Sequence, residues 1–191
     1  MAILPISLSG APVLHTPSHR VEDITDEIRD LARDMVDTMH AAPGVGLAAP
    51  QVGHGLQMFV WHYEWADDSS SGVVINPALR RRGPWRHRFR GEPDEEGCLS
   101  LPGLRFPLAR AERATLSGVD LDGLPVRIEA HGWLARIFQH EYDHLQGVLY
   151  RDRLTRRHQR AADAQIAQAD FALGGLWLPG DELTESDFGD S

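Results

Sequence analysis

Residues 132–147 read GWLARIFQHEYDHLQG, a mostly apolar segment of helical length that Gly147 is suited to end. It holds two histidines, His140 and His144, with Glu141 between them. Residues four apart lie on nearly the same face of an α-helix, so the two imidazoles can bind one metal ion. Several ionisable groups so close together on an apolar helix are costly to bury without a purpose. The segment therefore predicts a central, metal-binding helix, with chance core histidines as the alternative.

A catalytic site of the zinc type needs a third protein ligand. One H-E-x-x-H metallopeptidase pattern places a third histidine where this chain has Tyr150. Another pattern places an acidic residue on a later helix, where Asp163 is the nearest match. Cys98 is the only cysteine of the chain and a good soft ligand, although a lone cysteine is about as often a small buried apolar residue. Cys98 is the better candidate, and Asp163 stays an alternative.

The stretch GVGLAAPQVG, residues 44–53, is the third unusual feature. Its two glycines allow the backbone to approach another group closely, and Gln51 offers a side-chain amide. By itself the stretch is equally typical of a tight turn into a strand.

Together these stretches resemble the three motifs of the peptide deformylase family, G-x-G-x-A-A-x-Q, E-G-C-L-S and H-E-x-D-H. They read GVGLAAPQ at 44–51, EGCLS at 96–100 and HEYDH at 140–144, in the family's order and with every defined position matched. The resemblance extends over roughly residues 5–155. It implies a metal-dependent hydrolase that removes the N-formyl group from the initiator methionine of nascent polypeptides and releases formate.

The resemblance also implies roles for single residues. Cys98, His140 and His144 would hold one divalent ion, with iron(II) expected and zinc or nickel compatible with these ligands. Glu141 would transfer protons, and the Gln51 amide and the Leu99 N–H would stabilise the oxyanion. The peptide would add as a strand beside residues 44–46. The expected substrate-binding residues are Val45, Gly46, Gly97, Arg105, Trp133 and Ile137. An ordinary surface arginine is the alternative for Arg105.

Two positions depart from what the family often shows. Asp94 and Arg136 are charged where many members carry apolar residues, which leaves the side-chain preference of the methionine pocket open. A third charged residue, Asp143, is not expected to be a ligand, and Arg110 is its expected salt-bridge partner.

The remaining pattern predicts an α+β fold, with antiparallel and mixed β-sheets packed around the central metal-binding helix and an additional C-terminal helix. Helices are expected at 23–40 and 155–171. Strands are expected at 56–61 and 72–79, with a loop over 66–72. A hairpin is expected over 112–130, with its turn at Asp122 and Gly123. We expect one catalytic domain, residues 1–175, and an acidic tail, residues 176–191.

Composition limits the partners. The net charge is −9, so the protein as a whole is not expected to bind DNA or another polyanion. No leader peptide or membrane span is recognisable, which favours a cytoplasmic protein. Arginines cluster at 80–90 and 151–160. A solvated strand edge is the simpler interpretation of the first cluster, and transient contact with ribosomal RNA is the alternative for both.

Two other functions compete with deformylation. A general zinc endopeptidase would account for H-E-x-x-H alone, but Tyr150 argues against it. A metal-dependent binding module with a decayed site would not need Glu141 and Gln51, and both are present.

Overall fold

The structure, a computed structural model, describes residues 2–65, 68–86, 88–89, 92–169 and 175–180. Within these residues the strands are β1 Ile6–Ser7, β2 Gly46–Ala48, β3 Met58–Trp65, β4 Asp68–Arg86, β5 Arg88–Phe89, β6 Glu92–Pro93, β7 Glu95–Cys98, β8 Leu101–Pro107, β9 Arg110–Val119, β10 Pro125–His131 and β11 Leu176–Trp177. The helices are α1 Asp26–Ala41, α2 Gly132–Leu145 and α3 Arg156–Gln168. Short 3₁₀ helices cover Pro12–His15, Ala49–Val52 and Tyr150–Arg153.

The largest sheet has five strands in the order β10-β9-β4-β3-β2. Three smaller pairs, β1 with β11, β5 with β6 and β7 with β8, complete the sheets of the described residues. All of these strand pairs are antiparallel. The predicted α+β class is confirmed, and an isolated bridge between His19 and Leu56 is the one parallel pairing found in the described part of the chain.

Helices α1 and α2 cover opposite faces of the five-stranded sheet. Side chains alternate between the two faces along β3. Phe59 and Trp61 join the apolar cluster that contains Phe138 of α2, whereas Met58 and Val60 join the cluster of α1. Each fully buried side chain of this size contributes about 1.5–3 kcal/mol. The ligand-bearing helix is thus fixed against a strand that is buried on both faces.

Most expected elements are present, and one expectation is wrong. Helices α1, α2 and α3 and the β9–β10 hairpin lie where the sequence predicts them. The predicted loop over 66–72 is wrong for residues 68–72, which belong to β4 and pair with β3. Backbone hydrogen bonds hold this polar stretch in the ladder, and the Trp61 indole N–H donates to the Ser70 hydroxyl at 3.0 Å.

Two predicted features fall partly outside the described residues. Residues 181–191, most of the expected tail, lie outside them, whereas Leu176–Trp177 form β11 and pair with β1. His87 and Arg90 of the arginine cluster at 80–90 also lie outside the described residues. No helix among the described residues combines the length and apolar character needed to cross a membrane.

Candidate metal centre

Three buried side chains converge where β7 meets α2. Cys98 ends β7, and His140 and His144 lie one turn apart on α2. The Cys98 Sγ is 3.3 Å from the His144 Nε2, which is 3.2 Å from the His140 Nε2. Ligands bound to one ion at about 2.0–2.3 Å lie roughly 3–4 Å from one another, so this spacing fits a metal ion with an open fourth position. Cys98, His140 and His144 are the one group of metal-binding type found among the described residues.

Glu96 orients the first histidine. Its carboxylate lies 2.7 Å from the His140 Nδ1 and can only accept there, so the His140 Nε2 keeps its lone pair for a metal ion. Arg110 contacts the same carboxylate through Nε at 3.0 Å and through Nη2. Burial alone would raise the pKa of Glu96, but the charge and hydrogen bonds of Arg110 hold that pKa well below its usual range. Glu96 therefore stays an anion beside the site.

Glu141 lies beside the ligands, against the backbone of β2. A Cβ atom at Gly46 would lie 2.7 Å from the Glu141 Cδ, so the carboxylate rests on the glycine backbone. The Glu141 Oε2 is buried and has no hydrogen-bond partner among the described residues. Burial raises the pKa of Glu141 to about 7. A carboxylate in this state can both accept and return a proton near neutral pH.

The Gln51 amide is oriented by the strand before it. The Ala48 N–H donates to the Gln51 Oε1 at 2.9 Å, which turns the Gln51 NH₂ group toward the site. Its Nε2 lies 3.6 Å from the Cys98 Sγ and 3.4 Å from the Ser100 hydroxyl. The amide therefore presents donors, not its oxygen, to the metal centre.

A cavity of about 720 Å³ opens onto these residues. Every predicted catalytic and ligand residue except His144 lines it, and so do the six predicted substrate-binding residues, Val45, Gly46, Gly97, Arg105, Trp133 and Ile137. Val45, with 45% of its surface exposed, and the exposed Arg105 lie at the solvent side of the cavity.

The two charged residues that depart from the family pattern pair with each other. Arg136 Nη2 donates to Asp94 at 2.8 Å, and both side chains are buried. The Arg136 guanidinium also lies 5.6 Å from the centre of the Trp133 ring and donates to Glu96 at 2.9 Å. The positive charge of Arg136 is therefore paired with the carboxylates of Asp94 and Glu96.

The expected pairing of Arg110 with Asp143 is confirmed at 2.5 Å. Two further arginines reach the same buried carboxylate: Arg81 at 2.9 Å, and Arg153 through its Nη2 at 2.7 Å. Sequence spacing could not indicate these two, because each comes from a different element.

Neither position that other H-E-x-x-H patterns use for the third ligand supplies one here. The Tyr150 hydroxyl donates to the Leu104 carbonyl at 3.0 Å, and Asp163 is paired with Arg151 on the surface. Sequence reasoning gave no role to Glu96 and Trp177, which line the cavity and hydrogen-bond to His140 and to the Leu99 carbonyl. The first belongs to the E-G-C-L-S motif and could have been assigned a role; no pattern marked the second.

Comparison with known proteins covers nearly the whole chain. The family model described as polypeptide deformylase matches residues 3–160. The peptide deformylase of Tropheryma whipplei (strain TW08/27) is 46% identical over 189 residues, which cover 93% of this chain and 94% of the relative. That of Mycolicibacterium paratuberculosis is 45% identical over 192 residues, covering 95% and 96%.

Solved structures agree with these relatives. The crystal structure of the peptide deformylase from Thermus thermophilus has a TM-score of 0.79 at 40% identity and covers 90% of this chain and 98% of its own. The peptide deformylase from Ehrlichia chaffeensis in complex with actinonin has a TM-score of 0.78 at 32% identity, covering 87% and 96%. Residues 3–160, which the family model matches, include β7 and α2, the elements that carry the metal centre.

Proposed function

The chain belongs to the peptide deformylase family. We propose that Glu141, Gln51 and Leu99 are its catalytic residues. They lie beside a metal site formed by Cys98, His140 and His144. The protein is a metal-dependent hydrolase that removes the N-formyl group from nascent polypeptides. The observation that supports the site assignment is the convergence of Cys98, His140 and His144 beside the buried Glu141 in one cavity.

A metal ion held by Cys98, His140 and His144 would supply a water-derived nucleophile at neutral pH and Lewis-acid polarisation of the formyl carbonyl. Glu141 accepts the proton of the attacking water at its unpaired Oε2 and delivers it to the methionine nitrogen as the C–N bond breaks. As water adds to the formyl carbon, negative charge develops on the formyl oxygen, which accepts hydrogen bonds from the Gln51 Nε2 and the Leu99 N–H, each worth about 3 kcal/mol in the transition state. The products are formate and a free α-amine.

The substrate peptide adds as a strand beside residues 44–46, where the chain enters β2. Strand β2 is at the end of the five-stranded sheet, with β3 on one side, and among the described residues no strand pairs with its other edge. An extended peptide can add to such an edge through backbone hydrogen bonds. Trp133 and Ile137 then provide apolar contact for methionine, and Arg105 at the solvent side binds the peptide further along.

Iron(II) is the proposed resident ion, and nickel and zinc fit the same soft ligand set. Metal analysis of protein purified anaerobically without added metal tests this identity. Zinc as the only ion in that preparation would overturn it.

The protein is proposed to work in the cytoplasm with transient ribosome contact, because its substrate emerges there. The exposed Arg156, Arg157 and Arg160 on α3 and the exposed Arg80 and Arg82 on β4 offer positive charge for RNA phosphates. Arg151 and Arg153 contribute less, since they pair with Asp163 and Asp143.

A comparison of formyl, acetyl and unblocked peptides separates a deformylase from a protease. Gly46 and Gly97 line the cavity without side chains and keep its wall at backbone level beside the metal ligands. An acetyl methyl would push the carbonyl off its donors and cost about 100-fold in rate. We expect rapid formate release from formyl-Met-Ala-Ser, little or no release from the acetyl analogue, and no internal cleavage. Equal rates on the formyl and acetyl peptides would contradict the narrow site, and internal cleavage would favour the endopeptidase.

A further inference from the structure

The C-terminal strand β11 returns to the metal centre. It pairs with β1 in the register Ile6–Trp177 and Ser7–Leu176. Trp177 is half-buried, packs against the apolar cluster that contains α1 and β2, and lines the same cavity as the metal ligands. Strand β11 lies about 80 residues along the chain from Cys98, so only the fold brings the two together.

The Trp177 indole makes one specific polar contact in this cavity. Its Nε1–H donates to the Leu99 carbonyl oxygen at 2.8 Å. Leu99 and Ser100 form the turn between β7 and β8, where Cys98 pairs with Leu101. The Leu99 carbonyl shares one rigid peptide plane with the Ser100 N–H, so this bond fixes that plane directly. The Leu99 N–H belongs to the preceding plane, and the bond restricts its direction through the two dihedral angles of Leu99 that join the planes.

The turn is held at its other residues as well. Gln51 Nε2 lies within 3.6 Å of Cys98 Sγ and 3.4 Å of the Ser100 hydroxyl. The Leu99 side chain packs directly on the backbone of Gly44, because a Cβ atom at Gly44 would lie only 2.9 Å from the Leu99 Cδ1. The contact from Trp177 acts on the Leu99 backbone itself.

We infer that Trp177 is a positioning residue, which aims the Leu99 N–H at the oxyanion and forms one wall of the substrate cavity; this conclusion rests on the oxyanion role proposed for Leu99. Trp177 does not touch the reacting atoms. It acts through the turn, and its loss misdirects one oxyanion donor without removing that donor.

Two substitutions distinguish the contribution of the indole N–H from that of the aromatic ring. Trp177→Phe removes the donor and keeps an aromatic wall, so we expect kcat to fall about 3- to 10-fold, as for loss of one neutral hydrogen bond, with KM unchanged. Trp177→Ala removes both, so we expect a similar fall in kcat and a raised KM. The matched control is Trp85→Phe, at a tryptophan of β4 that is 58% exposed and does not line the cavity, and we expect no change in either constant.

The result that overturns the inference is a Trp177→Phe enzyme with the kcat of the unaltered protein, whether or not KM changes. A rise in KM alone would show a cavity wall without a positioning role. Metal content and melting temperature are measured on each variant, and kcat is expressed per bound metal ion.

A spectroscopic measurement on the unaltered chain covers the case in which the variants fail to fold. In the amide and indole NMR spectrum of the zinc-loaded protein, we expect the Trp177 indole N–H to exchange slowly with solvent and the Leu99 amide to shift when formate is added. Fast exchange of that indole would overturn the inference. Two further variants distinguish this inference from the proposed function. If Gln51→Ala loses turnover but Trp177→Phe does not, only the role inferred for Trp177 is wrong. If Gln51→Ala and Glu141→Ala both keep full turnover, the proposed function itself is wrong.

Discussion

Gly46 is the residue on which the placement of Glu141 depends. Its backbone conformation is ordinary, but a methyl group there would overlap the Glu141 carboxylate. We predict that Gly46→Ala lowers kcat about 100-fold, because the carboxylate must move from the water it deprotonates. Steady-state formate release and metal content on the same preparation measure this effect.

The matched control is Gly55→Ala. A Cβ at Gly55 would lie 4.0 Å from Val13, an ordinary contact, so neither turnover nor stability should change. A Gly46→Ala enzyme with unchanged kcat would show that Glu141 does not need this position.

The residues of the site were largely predictable from the sequence, for a physical reason. His140 and His144 share a helix face by periodicity alone, and the three motifs together pointed to Cys98 and Gln51. The hydrogen bond from Ala48 that turns the Gln51 amide could not be predicted, since it depends on the fold of a 3₁₀ helix after β2. The same limit applies to Trp177, which reaches Leu99 through β11.

At the scale of elements, α2 is tied to its surroundings by Asp143. Three arginines from β4, β9 and the 3₁₀ helix Tyr150–Arg153 contact this buried carboxylate. We predict that Asp143→Asn lowers the free energy of unfolding by about 3–5 kcal/mol, because it leaves buried positive charge uncompensated. It should also lower metal occupancy, while kcat per bound metal ion stays unchanged.

Thermal unfolding and metal analysis test this prediction. Asp163→Asn is the control, since that exposed pair with Arg151 should contribute only about 0–1 kcal/mol. Unchanged melting and unchanged metal content in Asp143→Asn would remove the structural role assigned to the cluster.

Elements with strong local signals were predicted well, and those set by long-range pairing were not. The β9–β10 hairpin follows from its turn at Asp122 and Gly123, where Gly123 has a φ of +78°. The polar stretch at residues 68–72 looks like a loop, yet it is a strand because β3 supplies the pairing. Its hydrogen-bond partners lie in another segment, so no local pattern could indicate them.

At the scale of the whole molecule, charge sets the conditions for any contact with RNA. A net charge of −9 disfavours general binding to polyanions, so a ribosome contact must use a local patch. We predict that changing Arg156, Arg157 and Arg160 to Glu lowers co-sedimentation with ribosomes, more at low salt than at high salt. Formate release from a free peptide should not change. The parallel change of Arg80 and Arg82 to Glu tests the second patch, and no loss in either variant would leave no basis for the contact.

The most direct test of the metal centre measures bound metal and formate release on the same samples of the unaltered protein, Cys98→Ser and Glu141→Ala. Cys98→Ser should lose metal and turnover together, because it removes a soft ligand from a three-residue site. Glu141→Ala should keep the metal and lose at least about 100-fold in turnover, because it removes only the proton-transfer group. A Cys98→Ser protein with full metal and full rate, or a Glu141→Ala protein with full rate, would contradict the assignment.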